Sequence, residues 1–471
     1  MTSSKIIATI GPASSAEQEL YSLINAGVDL FRLNMSHGAL DEKRELIRTI
    51  RRLPEVRGTQ PVGILGDLCG PKIRVGRFSG GSVELVTGGQ VILTTQEVEG
   101  TPERFQVDYA ALGKGIKKGF RILIDDGMIV LRAISAQPGE VVCKVAKGGI
   151  LKERKGVNFP GLPLELPSIT EKDRTDLEML LEEDVDYVAL SFVREAGDVI
   201  ALKDIIRRSG RDTPIIAKIE RPEAIKNIRE IVRVADGIMV ARGDLGVEMP
   251  PELVPPLQKK IIKLCHAMKK PVITATQMLE SMIRNPIPTR AEASDVAGAV
   301  FDGTDALMLS GETAMGDYPE ASVMMMNRIA REAERHATEK YYDSGQIATD
   351  YEAITNSACR MAEDLKVKAV ISFTRTGSTA LLISKYRPNA MVIAATPDER
   401  VLTRMRLYYG VMPVMMKLQN DTDAMIREVE RAAVLRGLVK NGDRVIVTLG
   451  VPSNARTNLL KVHRVGEVFA G

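Results

Sequence analysis

Apolar and polar positions along this chain follow two periods. Short, wholly apolar runs read as strands buried on both faces, and between them apolar residues recur every three or four positions, the spacing of amphipathic helices. The first runs are residues 5–11, 29–37 and 61–68, with helices predicted over about 16–26 and 41–53. Strands alternating with helices at this spacing predict a parallel sheet in an α/β fold. From 71 to about 167 the rhythm breaks into Gly-rich turns (Ser79-Gly80-Gly81, Thr87-Gly88-Gly89, Lys147-Gly148-Gly149) between short runs such as 91–95, 121–124 and 141–145. That is the pattern of a small all-β insertion. Pro160-Gly161-Leu162-Pro163 and Pro167 mark the return, and Ser168 through Asp173 carries the capping chemistry that opens the next helix.

The strand–helix rhythm resumes with strands at about 186–192, 214–220, 237–243, 271–276 and 306–309. Together with the three before the insertion these make eight units, which predicts a closed (β/α)8 TIM barrel. After a helix through about 341, residues 343–350 read as a linker, and strands near 369–373, 391–395, 411–415 and 444–449 belong to a further α/β segment. The predicted division is a barrel over 1–70 and 168–345, an all-β insertion over 71–167, and a C-terminal α/β domain over 346–471.

Composition narrows the partners. Hydrophobic residues at 44% and charged residues at 27% of 471 are globular values. A net charge of +3, no Trp and aromatics at 4% leave no stacking platform for nucleic acid, so no nucleic-acid partner is expected and anionic small molecules remain. Cys69, Cys143, Cys265 and Cys359 lie far apart, with neither metal-ligand spacing nor the density of a disulfide framework, and read as reduced thiols. No run has the length of a membrane span and the first residues lack a signal peptide's apolar region, so a cytoplasmic location away from membranes is expected.

Catalytic groups of such a barrel project from the C-terminal strand ends, and Arg32, Asp67, Lys218, Glu220, Asp244, Thr276 and Glu312 all lie near the ends of apolar runs. The run 237–241 breaks at Arg242, Gly243, Asp244 and Gly246, which predicts the strand's exit into a loop with a carboxylate at its mouth. Lys218 and Glu220 are two apart and share a strand face. Two carboxylates and an ammonium from neighbouring strand ends suit magnesium carrying an anionic substrate; a structural salt bridge at the barrel rim explains the same residues. Arg32, Asn34 and Ser36 also share a face and suit phosphate and a monovalent cation, while Gly70-Pro71 leaves Lys72 and Arg74 near the barrel mouth. Thr374, Arg375, Thr376, Gly377, Ser378 and Thr379 follow a strand and open a helix, either as an anion nest or as plain N-capping.

Residues 32–37, Gly70-Pro71 with Ile73-Arg74, 155–158, 217–220, 239–246, 273–278, 285–292 and 302–314, in this order and across essentially the whole chain, resemble the pyruvate kinases. The resemblance implies a catalytic A-domain barrel, a mobile β-barrel lid (B domain) inserted after the third strand, a C-terminal regulatory domain and a homotetramer. It also implies transfer of the phosphoryl group of phosphoenolpyruvate to ADP, giving pyruvate and ATP, the last step of glycolysis. Carried over by position, Glu220 and Asp244 hold Mg2+ or Mn2+. The backbone of Gly243 and Asp244, with Thr276, binds the substrate carboxylate, and Lys218 lies against the phosphoryl group in flight. Arg32 and Arg74 clamp phosphates, His37 and Lys155 meet the nucleotide, and Asn34, Ser36 and Asp67 form a potassium-type site. Enolate protonation is implied near Thr276, Ser310 and Glu312, where Ser310 and Glu312 are as open to a supporting role as to proton donation. A phosphorylated effector is implied at 374–379, with Arg456 facing it.

One departure stands out. Most of that family carries an acidic residue where Lys72 stands and Thr where Leu68 stands. An ammonium there supplies the positive charge potassium would bring and repels a second cation, so K+ is expected to be dispensable. Two other readings remain: a barrel lyase acting through an enolate, which needs no lid, Arg74 or Lys155, and a phosphometabolite sensor, which would have lost catalytic residues that are all present here.

Overall fold

The computed structural model describes residues 2–337, 349–417, 419, 421–451 and 455–467. The expected linker therefore lies outside the described residues up to position 348, as does the end of the helix placed near 341. Eight parallel strands close into a barrel: β1 (Lys5–Ile10), β2 (Leu30–Asn34), β3 (Gly63–Asp67), β4 (Tyr187–Leu190), β5 (Ile215–Ile219), β6 (Gly237–Ala241), β7 (Val272–Ala275) and β8 (Ala306–Leu309). They follow one another around the ring, and β8 pairs back onto β1.

Both strand faces are buried, which is why these runs carry no polar alternation. Ile7, Leu65, Ile216, Met239 and Met308 fill the interior, while Ile6, Ile64, Val188, Ile238 and Leu307 pack under the surrounding helices. The helix Leu40–Arg57 runs four residues past the predicted end near 53, with Pro54 inside its last turn. A proline in the last turn forfeits one bond to the carbonyl of Ile50, and the turn still closes at Gly58 with φ +67.

The insertion leaves after β3. It is hydrogen-bonded as one six-stranded sheet, Gln90–Thr94 through Val157–Asn158, and one separate pair, Ser82–Leu85 with Gly149–Lys152, around a core that includes Phe78, Leu93, Phe105, Leu131 and Phe159. The hydrogen bonds do not form the single closed ring of a β-barrel. Gly148 lies at the turn between the two sheets: a Cβ there would sit 2.0 Å from the Leu85 carbonyl oxygen, so glycine permits the close approach as the chain passes from one to the other.

The C-terminal sheet consists of β9 (Ala369–Phe373), β10 (Met391–Thr396), β11 (Val411–Met415), β12 (Arg444–Leu449) and β13 (Leu459–Arg464), in the order β11-β10-β9-β12-β13. The edge strand β13 was not expected; it runs antiparallel to β12, and its mixed sequence lacks the wholly apolar run of a central strand. This domain plugs the N-terminal end of the barrel. Leu407 and Tyr408 join the interior core, the Tyr187 hydroxyl donates to the Arg404 carbonyl at 2.7 Å, and the Lys5 ammonium donates to the Val411 carbonyl at 2.8 Å. Asp305, just before β8, pairs with Lys385 inside this joint, and His266 Nε2 lies 2.6 Å from the Gly303 carbonyl oxygen. Among the described residues no helix is long and apolar enough to cross a membrane, and all four cysteines are free.

Candidate functional site

With one barrel end plugged, the C-terminal strand ends remain open, and the charged residues meet there. A cleft of about 220 Å³ is lined by Arg32, Asn34, Ser36, His37 and Asp67 from the first strands, Lys72 and Arg74 at the root of the insertion, and Ser191, Lys218, Glu220 and Asp244 from the later ones. Register explains the convergence, since Asn34 stands opposite Asp67 where β2 and β3 pair.

Lys218 is the centre of the cluster. Its buried ammonium lies 3.2 Å from Asp67 Oδ1 and 3.0 Å from Glu220 Oε1, and donates to Ser191 Oγ at 2.7 Å. Burial works against the charge, but Asp67 and Glu220 outweigh it and hold Lys218 above the usual lysine range. Asp67 accepts on its other oxygen from Arg32 Nε at 2.6 Å, and Arg32 Nη1 donates to Thr9 Oγ1 at 3.1 Å. Burial alone would raise the Asp67 carboxyl; the two cations Lys218 and Arg32 pull it below its ordinary value. Glu220 goes the other way. Burial and the nearby Asp244 charge push it up against the pull of Lys218, although it accepts from the Phe192 amide at 2.8 Å.

That donor set fits a divalent cation. Glu220 and Asp244 converge as hard oxygen ligands whose mutual repulsion a cation relieves. Among the described residues no group of three or more His, Cys, Asp or Glu could hold a metal by itself. A magnesium ion at this pair would thus take further ligands from water and substrate, which suits its reluctance to dehydrate.

Beside Asp244 the chain does not exit into the expected loop. Residues Arg242–Glu248 form a short helix, because Arg242 reaches back to the carbonyls of Thr276 at 2.8 Å and Gln277 at 3.0 Å and to Asp295 at 2.7 Å, fixing the turn. Thr276 and Gln277 adopt left-handed backbone at φ +67 and +53, uncommon for a β-branched residue and costly unless neighbours enforce it. Thr276 Oγ1 accepts from the Gly243 amide at 2.7 Å, and a Cβ on Gly243 would lie 3.3 Å from that oxygen, so glycine permits the close approach.

Among the expected residues, Thr276, Ser310, Glu312 and Lys155 do not line the cleft. Glu312 is buried with both oxygens taken by backbone, the Leu279 amide at 3.0 Å and the Ser310 amide at 2.7 Å. Lys155 pairs with Asp125 at 2.8 Å inside the insertion, and Arg74 donates to the Arg154 carbonyl at 3.0 Å. His37 is held below its ordinary value by partial burial and by Arg74, Lys43 and Lys72. Asn34 Oδ1 accepts from the Ser36 amide at 3.1 Å. Ser191 was not singled out from the sequence, yet it touches Lys218. Its signal was available: it is the polar residue ending the apolar run 187–190.

In the C-terminal domain a second cavity of about 650 Å³ opens over Thr374, Arg375, Thr376, Ser378 and Thr379 and is also lined by Arg456. Gly377, at φ +81, donates its amide to Thr374 Oγ1 at 2.9 Å, and Thr379 shares a hydroxyl contact of 2.9 Å with Thr457.

Comparisons with known proteins agree with this architecture. A family model described as pyruvate kinase, barrel domain, matches residues 1–323, and one described as pyruvate kinase, alpha/beta domain, matches residues 352–463. Pyruvate kinases of Staphylococcus epidermidis and Staphylococcus aureus are each 46% identical over 478 residues, covering 100% of this chain and 82% of theirs. A solved pyruvate kinase structure from Cryptosporidium parvum superposes with a TM-score of 0.92 at 38% identity, covering 98% of this chain and 96% of that one.

Proposed function

The chain belongs to the pyruvate kinase family, and we propose that it moves the phosphoryl group of phosphoenolpyruvate to ADP in the cleft centred on Lys218. The products are pyruvate and ATP. The observation that carries the assignment of roles is the buried ammonium of Lys218, kept charged between Asp67 and Glu220. Phosphoryl transfer is mostly positioning and charge neutralisation, and a fixed cation facing the group in flight supplies both without reorganising.

Glu220 and Asp244 would hold magnesium in this reading, with Mn2+ as the alternative hard ion, and the ion would supply charge neutralisation at the substrate oxygens. Arg32, oriented by Asp67 and Thr9, clamps the phosphate, and Gly243, Asp244 and Thr276 receive the carboxylate. Arg74, His37 and Lys155 serve the nucleotide, with Lys155 exchanging Asp125 for the phosphates when the lid moves in. Protonation of the enolate falls to water beside Thr276 and Ser310, and Glu312, saturated by backbone amides, acts as support. Asn34, Ser36 and Asp67 remain the potassium-type site, made dispensable by Lys72, which lines the same cleft. Residues 374–379 and Arg456 accept a phosphorylated effector, and the barrel over 1–70 and 168–345, the lid over 71–167 and the regulatory domain over 346–471 assemble as a homotetramer.

A coupled assay for pyruvate from phosphoenolpyruvate tests the reading. Pyruvate is expected only with ADP and magnesium present together; release without ADP would favour a lyase, and none under any condition a sensor.

A further inference from the structure

A third cavity, of about 430 Å³, lies at the opposite end of the barrel from the catalytic cleft, where the barrel meets the C-terminal domain. That volume suits a small ligand. The barrel wall contributes five basic side chains, Lys203, Arg207, Arg211, Lys269 and Lys270, against two acidic ones, Asp212 and Asp236. Pro214, Pro271, Ile206 and Leu381 supply apolar wall. The far side is closed by Thr376 and Ser378, which also line the cavity over residues 374–379.

Both acids are already engaged. Asp236 accepts from Lys203 at 2.8 Å on one oxygen and from the Ile215 amide at 2.9 Å on the other, and Asp212 accepts from Arg404 at 2.8 Å. The carboxylates paired with Arg207, Arg211 and Lys269 are Asp204, Asp184 and Glu352, none of which lines the cavity. Lys270 stands differently. Its half-buried ammonium donates to the Ala235 carbonyl at 2.5 Å, and among the described residues no carboxylate lies within ion-pairing distance of it. Burial accordingly disfavours its charge, a penalty that Asp236 offsets only in part and an incoming anion would relieve.

We propose that this cavity binds a small phosphorylated metabolite, with its phosphate against Lys270 and the neighbouring arginines and its carbon skeleton against the apolar wall. The site is separate from the one assigned to an effector, and its control of that effector rests on the assignment made above. Because Thr376 and Ser378 are common to both cavities, an occupant of one contacts the turn that shapes the other. Two ligands that bias one element change each other's affinity by the same factor.

Inorganic phosphate is the probe, and its binding to the full-length protein is measured by calorimetry in the parent, Lys270→Met, Arg207→Ala and Arg456→Ala. Losing one charge-assisted hydrogen bond to phosphate corresponds to roughly tenfold or more in affinity. Lys270→Met is expected to weaken one class of site by at least about tenfold while catalytic turnover stays at the parental level. Arg207→Ala, at an exposed position, is expected to weaken the same class less and stands in if Lys270→Met does not fold. Arg456→Ala is expected to spare that class, and if it spares every class the effector assignment fails while this site stands. Parental phosphate binding in folded Lys270→Met, or in Arg207→Ala where that variant stands in, or loss of the Lys270-sensitive class in Arg456→Ala, would overturn the proposal.

Discussion

Replacing Lys218 with methionine keeps the length and apolar stem of the side chain and removes its charge. Asp67 retains Arg32 at 2.6 Å, and Glu220 retains the Phe192 amide at 2.8 Å, so neither buried carboxylate is left bare. Breaking a buried ion pair costs about 3–5 kcal/mol when one charge is orphaned. The remaining partners place this variant near the lower end, small enough for the barrel to stay folded. The catalytic loss is larger. A single preorganised donor is worth about 10²–10³ in kcat and a cation at a phosphoryl transition state about 10³–10⁵. In the proposed role of Lys218, facing the transferring group, its loss should lower kcat at least ~10³-fold, about 4 kcal/mol of transition-state stabilisation. The KM for phosphoenolpyruvate should change far less, because the phosphate clamp proposed for Arg32 is untouched. The assay is pyruvate formation coupled to an NADH-linked readout, with circular dichroism and thermal unfolding on the same preparation. Glu220, freed of its counter-charge, should also move further above its ordinary value, so half-maximal magnesium activation shifts to higher pH. A folded Lys218→Met protein with kcat within tenfold of the parent would refute the role.

Further outcomes follow from the same geometry. In buffer free of potassium and ammonium, added KCl should leave the parental rate nearly unchanged, whereas Lys72→Glu should make the rate depend on KCl; strong activation of the parent would show that the lysine does not stand in for the ion. Ser191→Ala removes the hydroxyl 2.7 Å from the Lys218 ammonium and should lower kcat roughly tenfold at constant KM, with Ser191→Thr restoring most of it. A purely structural serine would instead lower the unfolding temperature and leave the pH–rate profile where it was. Burial, and secondarily Lys385, hold His266 down to about 3, below its unfolded value near 6.5. The unfolded chain therefore binds that proton first, so the stability His266 contributes is complete above about pH 6.5 and is lost as pH falls towards 3. His266→Gln should flatten the unfolding midpoint over that window; an unchanged acid slope would contradict the assignment.

The barrel was legible because its strands are buried on both faces, and the runs around Ile7, Val188, Ile216 and Ile238 have no other plausible use. Arg32, Asp67, Lys218, Glu220 and Asp244 were legible for a related reason, since a charge that ends a wholly apolar run has to emerge at a strand end. What escaped depends on contacts distant in sequence. Nothing local to Arg242 states that its guanidinium will bind carbonyls more than thirty residues on and wind the next turn into a helix. The edge strand Leu459–Arg464 needs β12 beside it before its mixed sequence has a reason to extend. Glu312 looked like other rim acids, and no local pattern announces that its oxygens accept from the amides of Leu279 and Ser310.

The root of the insertion has a mechanical consequence. Its two crossings are zipped together: the Val75 amide donates to the Lys155 carbonyl at 2.9 Å, the Val157 amide to the Ile73 carbonyl at 2.8 Å, and Arg74 bridges Gly156. Two strands joined this way bend as one ribbon, about a single axis, and to the barrel the whole insertion is one loop between β3 and the following helix. The groups at either end of phosphoryl transfer consequently ride on separate carriers. Arg74 and Lys155 belong to the ribbon, whereas Lys218, Glu220 and Asp244 are fixed to the barrel. Under the roles proposed for Arg74 and Lys155, grafting a foreign insertion at Ile73 and Val157 is expected to exchange nucleotide preference as a cassette and leave the grip on phosphoenolpyruvate intact.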